Sequence, residues 1–359
     1  MLALYLPQYH PTEDNNKWWG EGFTEWTNVA KAKPLYKGHY QPKVPADLGF
    51  YDLRLPEVRE KQVELARKAG VTAFCYYHYW FGNGKQELER PFNDVVESGK
   101  PDFPFCLCWA NHSWSLKLWN KDGTSKNRTL CEMTYPGPED HKSHFYSLLK
   151  AFKDPRYLKY KGKNIFVIYA PKGFIDCKSF INQWNQLAAE NGLEGFHFVG
   201  CCLNPLHESE IEEIISLGFD AVNVLRLTNF QNQTSNYFKR GLNYISHQLL
   251  NRPYINNYSK ILKMMVGPEY SLPNVYPSIV PNWDHTPRSG RGGYLFENCE
   301  PELFEKHCRM VFDEIKDKPE EDRIVFLKSW NEWGEGNYME PDLRYGNGYI
   351  HALKRALTE

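Results

Sequence analysis

The feature that most limits the fold is a recurrence along the chain. A short apolar run is followed by an amphipathic run, and the pair repeats. Eight runs have the length and the branched or aromatic content of buried strands: 2–6, 71–77, 103–109, 164–169, 196–202, 219–224, 275–280 and 324–330. Helix-like segments follow at 56–69, 87–97, 140–152, 176–190, 208–217, 238–250, 301–315 and 348–357. Lys68-Ala-Gly70 and Asn191-Gly192 are helix stops of the usual kind. Eight β-α units with mostly apolar strands predict an α/β protein, a parallel (β/α)8 TIM barrel. An open doubly wound sheet is the competing architecture, but no Gly-rich phosphate turn follows the first strand. No repeat of 20–50 residues and no linker composition is present, so one domain over 1–359 is expected. Three connections, about 7–55, 110–139 and 251–274, are too long to be simple turns and are expected as loop insertions.

A barrel places its site at the C-terminal ends of its strands. Those ends carry Tyr5, Gln8 and His10 after the first run, and Tyr77 and His78 in the second. Trp109, Asn111 and His112, then Trp114, follow the third run; Tyr169, Asn204 and Asn223 mark the next three. Asn282, Trp283, Asp284, His285 and Arg288 follow the seventh. The long first loop adds Glu21, Glu25 and Trp26 within Trp18-Trp-Gly-Glu-Gly-Phe-Thr-Glu-Trp26. The richest end is the eighth, where Trp330, Asn331 and Trp333 are interleaved with Glu332, Glu335 and Glu340. Aromatic faces cover the apolar faces of a pyranose, and carboxylates and amides hydrogen-bond its hydroxyls. Polar strand ends alone do not explain this bias toward Trp, Tyr and His. The plain alternative is a loop with solvated glutamates and tryptophans that fill the core.

Cleaving a glycosidic bond takes one acid to protonate the leaving oxygen and one carboxylate as base or nucleophile. Glu332 and Glu335 lie on a Gly-containing turn and can face one cavity. Repulsion between them would push one pKa up, as an acid at neutral pH requires. A catalytic metal is the rival. His10, His78, His112 and His285 lie on different strand ends, and neither His-x-x-x-His nor Cys-x-x-Cys occurs. No metal and no cofactor are therefore expected. Gly-x-Ser-x-Gly is also absent.

Composition narrows the partners. Aromatic residues make up 15% of the chain, with 11 Trp and 23 Tyr, in keeping with an oligosaccharide or polysaccharide ligand. The 43 basic and 44 acidic residues balance, which argues against nucleic acid. No apolar run approaches the roughly 20 residues needed to span a bilayer. The nine cysteines form no paired framework, and several sit inside strand-like runs. With no signal-peptide pattern at Met1, this predicts a cytoplasmic protein. The Asn-x-Ser/Thr triplets at Asn111, Asn127, Asn232 and Asn257 are then chance matches.

With these residues in view, the chain resembles the WbsX family. These are bacterial proteins of surface-polysaccharide gene clusters, labelled glycosyltransferases, with a domain like glycoside hydrolase family 99. The likeness covers nearly the whole chain. It rests on Leu4-Tyr-Leu-Pro-Gln-Tyr-His10, Trp19-Gly-Glu-Gly-Phe-Thr-Glu-Trp-Thr-Asn28, Cys108-Trp-Ala-Asn111, Pro281-Asn-Trp-Asp284 with Thr286-Pro-Arg288, and Trp330-Asn-Glu-Trp-Gly-Glu-Gly336 with Glu340-Pro341. The resemblance implies a (β/α)8 barrel and retaining chemistry on α-mannosidic bonds. It implies that Glu332 deprotonates the sugar 2-hydroxyl and that Glu335 is the general acid/base. One departure falls on the third loop. The family's Trp-Ala-Asn is usually followed by Glu and an Arg-flanked Trp, where this chain has Asn111-His-Ser-Trp-Ser-Leu-Lys117.

The leading expectation is a metal-independent, retaining carbohydrate-active enzyme on a bacterial surface glycan, by hydrolysis or transglycosylation. A glycosyltransferase using an activated sugar donor is the first alternative, although no Asp-x-Asp motif or nucleotide loop is visible. A barrel that binds glycan without turning it over is the second.

Overall fold

In the computed structural model, residues 1–119, 125–205, 207–227, 230 and 252–358 are described. The helix expected over 238–250 lies outside them. Eight parallel strands form a ring: β1 (Leu2–Tyr5), β2 (Ala73–Trp80), β3 (Phe105–Trp109), β4 (Lys163–Ile168), β5 (Phe196–Leu203), β6 (Ala221–Leu225), β7 (Val275–Ile279) and β8 (Phe326–Leu327). Each pairs with the next, and β1 closes the ring by pairing with both β2 and β8. This is the expected TIM barrel. Among the described residues, the helices longer than four residues are, in chain order, α1 (Glu13–Trp19), α2 (Glu25–Lys31), α3 (Pro56–Ala69), α4 (Arg90–Ser98), α5 (Pro138–Phe152), α6 (Cys177–Glu190), α7 (Ser209–Ser216), α8 (Pro301–Ile315) and α9 (Gly348–Thr358).

Two of the boundaries differ from expectation for local reasons. Pro91 fits only the first turn of a helix, so α4 starts at Arg90. Gln86 and Glu87 instead pair with the end of β2. The eighth strand stops at Leu327, and the chain turns off the ring into a small ladder of Asn331–Glu332 with Asn337–Tyr338. The first long loop contains α1 and α2. Thr12 and Thr24 cap them, accepting from the backbone N–H of Asn15 and Trp26. The loop at 110–139 carries the strands Trp114–Trp119 and Ser125–Cys131, and the one at 251–274 carries Tyr254–Asn257.

Strand register decides which side chains see the inside of the barrel. Partners on neighbouring parallel strands face the same way, and successive residues alternate. Leu4, Cys75 and Cys106 form one level, and Tyr77, Cys108 and Val167 the next. Cysteines and valines fill the inside, where a bulky side chain from every strand would not fit. The opposite parity, Phe74, Tyr76, His78, Trp80 and Trp109, faces the helices. Trp184 of α6 completes that outer layer. It is fully buried among Phe166, Phe180 and Phe196, and its indole N–H donates to the His141 carbonyl at 3.0 Å. Trp184→Ala is expected to cost about 3–5 kcal/mol through the cavity it leaves. Urea unfolding measures this as a lower midpoint with little change in slope.

Candidate active site

Residues of the inward parity continue past the strand ends into a cavity of about 950 Å3. Leu6, Tyr77, Tyr79, Tyr169, Leu203, Leu225 and Lys328 form its base. The first loop contributes Gln8, Trp19, Phe23 and Glu25, and the third contributes His112 and Trp114. Trp283 and Arg288 follow β7, and Glu332 and Glu335 follow β8. Aromatic rings therefore stand on three sides of a charged patch.

The patch holds two cations and three carboxyls. The Lys328 ammonium donates to Glu332 Oε2 and to the Tyr77 hydroxyl at 3.2 Å, and lies 3.6 Å from Glu335 Oε2. Arg288 donates through Nη1 to Glu335 Oε1 at 2.6 Å and through Nε to Glu25 Oε2 at 3.1 Å. His285 Nε2 is 3.7 Å from Glu335 Oε1. Gly334 makes room for this cluster, since a Cβ there would meet Glu25 Oε2 at 1.9 Å. Burial, and then the charge of Glu335, push the Glu332 carboxyl up to about 7. Burial acts the same way on Glu335, but Lys328 and Arg288 outweigh it and hold that carboxyl at about 2. Of the pair, Glu332 is thus the carboxyl that takes up a proton more readily, and Glu335 the one that stays ionised.

Eleven of the residues singled out in the sequence meet here: Gln8, Glu25, Tyr77, His112, Trp114, Tyr169, Asn204, Trp283, Arg288, Glu332 and Glu335. The others do not line the cavity, for two reasons. The first is parity. Tyr5 faces α3 and donates to Gln62 Oε1 at 2.7 Å. His78 faces α5, its Nε2 at 2.8 Å from His144 Nε2. Trp109 packs on Phe180 and donates to the Trp80 carbonyl, while Trp330, past the point where the chain leaves the ring, packs on Phe74. The second reason is that loop side chains serve the loops themselves. Asn331 bonds the Leu6 N–H and carbonyl, Asn282 the Tyr338 N–H and carbonyl, and Asn111 the Ala170 N–H and carbonyl. His10 Nδ1 sits 3.0 Å from the Pro7 carbonyl. Asp284 accepts from His39, Gln41 and Thr286. Trp26 and Trp333 pack on each other at 5.6 Å, and Glu340 accepts from Tyr51, Gln62 and Trp333. Glu21 is exposed and accepts from Asn16.

Lys328 was the residue hidden from sequence reading, as part of an apolar run. Its signal was there: a lysine one residue past a buried strand, on the parity of Phe326, has to face the barrel. Tyr79 follows from Tyr77 by the same count. Among the described residues, no group of three or more His, Cys, Asp or Glu side chains could hold a metal ion. No described helix is long and apolar enough to cross a membrane.

A family model described as Glycosyltransferase WbsX matches residues 1–353. The chain belongs to the WbsX family. Over its whole length this WbsX chain is 32% identical to the protein described as uncharacterized protein WxcX in two strains of Xanthomonas campestris pv. campestris, B100 and ATCC 33913. It spans about half (49%) of the length of those relatives. Among solved structures, the GH99 endo-alpha-mannosidase from Bacteroides thetaiotaomicron in complex with bis-tris-propane aligns with a TM-score of 0.60. The identity is 14%, over 99% of this chain and 95% of that one. A second structure, described as a glycoside hydrolase-like protein, aligns with a TM-score of 0.59 at 15% identity, over 88% of this chain and 89% of that one. At such identities the likeness shows a shared fold.

Behind the cavity, burial pushes the Glu340 carboxyl up to about 7 from an ordinary 4.5, against the bonds from Trp333, Gln62 and Tyr51. Between those values the folded protein keeps a proton that the unfolded chain releases. Stability from this group is therefore greatest below about pH 4.5 and is lost as pH rises to about 7. Glu340→Gln copies the protonated form. It is expected to flatten the fall in melting temperature between pH 4.5 and 7 relative to the parent, measured by thermal unfolding across that range.

Proposed function

We propose that this barrel makes or breaks glycosidic bonds of a bacterial surface glycan with retention, using Glu332 and Glu335 as its catalytic pair. The single observation behind this reading is the buried pair itself, Glu332 and Glu335 on one turn, lining one cavity beside Lys328 and Arg288. A retaining step with 2-hydroxyl assistance uses one protonated and one ionised carboxyl. Glu332 takes the 2-hydroxyl proton, and Glu335 protonates the departing oxygen. Water or a sugar hydroxyl then opens the intermediate, Glu335 taking the acceptor's proton as Glu332 returns the first proton to the 2-oxygen. In the unliganded pair the raised carboxyl is Glu332 and the lowered one Glu335, the reverse of these roles. Sugar binding therefore has to draw Arg288 away from Glu335 and move a proton onto it. Tyr77, Tyr79, Tyr169, Trp114 and Trp283 supply ring faces for the sugars, and Gln8 and Glu25 supply polar contacts. The GH99 neighbours are endo-alpha-mannosidases; the kind of bond, an internal α-linkage, is carried over and the sugar is not. Nine unbonded cysteines support work in the cytoplasm, where such glycans are assembled.

The family description favours a second reading, transfer from an activated donor. Lys328 and Arg288 are the cations that would meet a donor's phosphates, and both are already engaged by carboxylates. Against α-linked glycans, Glu332→Gln and Glu335→Gln are each expected to lower turnover by about 10²–10⁴-fold with melting unchanged. Substrates lacking the 2-hydroxyl are expected to resist cleavage. Full turnover in both variants would move the chemistry elsewhere. Tight, Mn²⁺-dependent binding of a nucleotide-diphosphate sugar by calorimetry would put the transferase in its place. Binding without turnover in the parent would make the barrel a glycan-binding protein.

A further inference from the structure

The stretch from Trp18 to Trp26 stood out in the sequence, yet the charge cluster uses one of its residues, Glu25. Other parts of the first loop build a wall of the same cavity, with Gln8, Asn15, Trp19 and Phe23 lining it. At about 950 Å3 the cavity is near the upper end for small-molecule sites, more than one pyranose fills. Its parts differ in chemistry. Among the described residues, the acidic and basic side chains that line it are Glu25, Arg288, Lys328, Glu332 and Glu335, and all belong to the cluster. The wall at Trp19 carries amides and rings without charge.

The two helices of the first loop serve different parts of the rim. α2 meets the segments after β7 and β8: Trp26 packs on Trp333, and Glu25 accepts from Arg288. α1 meets the β2 end and the third loop. Lys85, just past β2, pairs with Asp14 of α1 and, at 2.8 Å, with Glu87. Trp18 meets Trp114 edge-on at 5.8 Å. Trp19, the last residue of α1, therefore belongs to the β2–β3 part of the rim, and the glutamate pair to the β7–β8 part.

Trp19 is held in place and open at once. Its ring lies on Phe23, with centroids 5.6 Å apart and planes at 28°. Phe23 is buried, but Trp19 is 40% exposed. Leaving that much indole in water forgoes apolar burial. The turn beyond it is closed by Asn16, whose side chain donates to Glu21 Oε1 at 2.9 Å and accepts from the Gly22 N–H at 3.0 Å. Asn15 stands one helical turn before Trp19, on the same face of α1. It is fully buried, and its Nδ2 has no acceptor among the described residues. Gln8 Nε2 donates to its Oδ1 at a long 3.4 Å. A buried amide donor left unpaired is costly. A sugar hydroxyl that parts the long Gln8 contact supplies both a donor and an acceptor.

We propose that Trp19, backed by Phe23, is an outer subsite for a neutral pyranose, beyond the unit that meets Glu332 and Glu335. The substrate is then a chain of several sugars that runs from the glutamate pair toward the β2–β3 rim. Trp19 covers the apolar face of the outer ring, and Gln8 and Asn15 meet its hydroxyls. The subsite rests on the glycosidic reading above and adds chain length to it. Calorimetry on the full chain would use thio-linked α-mannosyl and α-glucosyl oligosaccharides of one to four units, whose bridging sulfur resists cleavage. In the better-bound series the parent is expected to gain affinity with length. Trp19→Ala is expected to cut the ratio of four-unit to one-unit affinity roughly tenfold, and Trp19→Phe to keep part of it. Should Trp19→Ala fail to fold by circular dichroism, Trp19→Leu, which keeps bulk without the ring face, takes its place. An unchanged ratio, an equal loss at every length, or no gain with length in the parent would each overturn the subsite. So would the absence of binding by either series at millimolar concentration. None of these outcomes touches the glutamate pair, which stands or falls on turnover in Glu332→Gln and Glu335→Gln.

Discussion

Everything in the large cavity depends on the charge cluster of Lys328, Arg288, Glu25, Glu332 and Glu335. Taking five ionisable groups out of water is expensive unless each finds a partner. Here two cations face three carboxyls, and the imbalance shows at Glu332, whose carboxyl is pushed up to about 7 by burial and by Glu335. The raised Glu332 is therefore a consequence of burying this cluster. Removing any one member leaves a buried charge uncompensated, which in comparable settings costs about 3–5 kcal/mol. The cluster ties the first loop, the segment after β7 and the segment after β8 into one unit, through Glu25, Arg288 and the two glutamates.

A site of this kind needs a turn that holds still. The residues that do not reach the cavity supply that stiffness. Asn331 fastens the β8 segment to Leu6, Asn282 fastens the hairpin at Tyr338, and Tyr9 donates to the Asn331 carbonyl at 2.5 Å. Glu340 is bonded by three side chains from three parts of the chain. Preorganised supports let catalytic groups act without rearranging at the moment of reaction. The polar residues around Glu332 and Glu335 are thus mostly hinge pins of the turn.

Much of the fold was legible because strand and helix periods differ and eight alternations leave few closed solutions. The cluster was half legible. Glu332, Glu335, Glu25 and Arg288 stood out as charges at strand ends, where a core has no use for them. Which of two adjacent aromatic residues turns inward is settled by register, and register depends on pairing with strands far along the chain. That is why Tyr77 was found alongside His78, although the two face opposite sides of the sheet. Lys328 was missed because a charge inside an apolar run looks like the end of a strand. The asparagines and Asp284 were over-read because amides and carboxylates serve a loop backbone as readily as a sugar hydroxyl.

The turn that carries Glu335 is also held along its backbone. The Asp284 N–H donates to the Glu335 carbonyl at 2.7 Å, and the Gly336 carbonyl accepts from Lys43. Gly336 itself has φ +53°, a left-handed conformation that favours glycine. Because Glu335 is kept ionised by Arg288 and Lys328, a small shift of the turn changes how firmly those cations hold it.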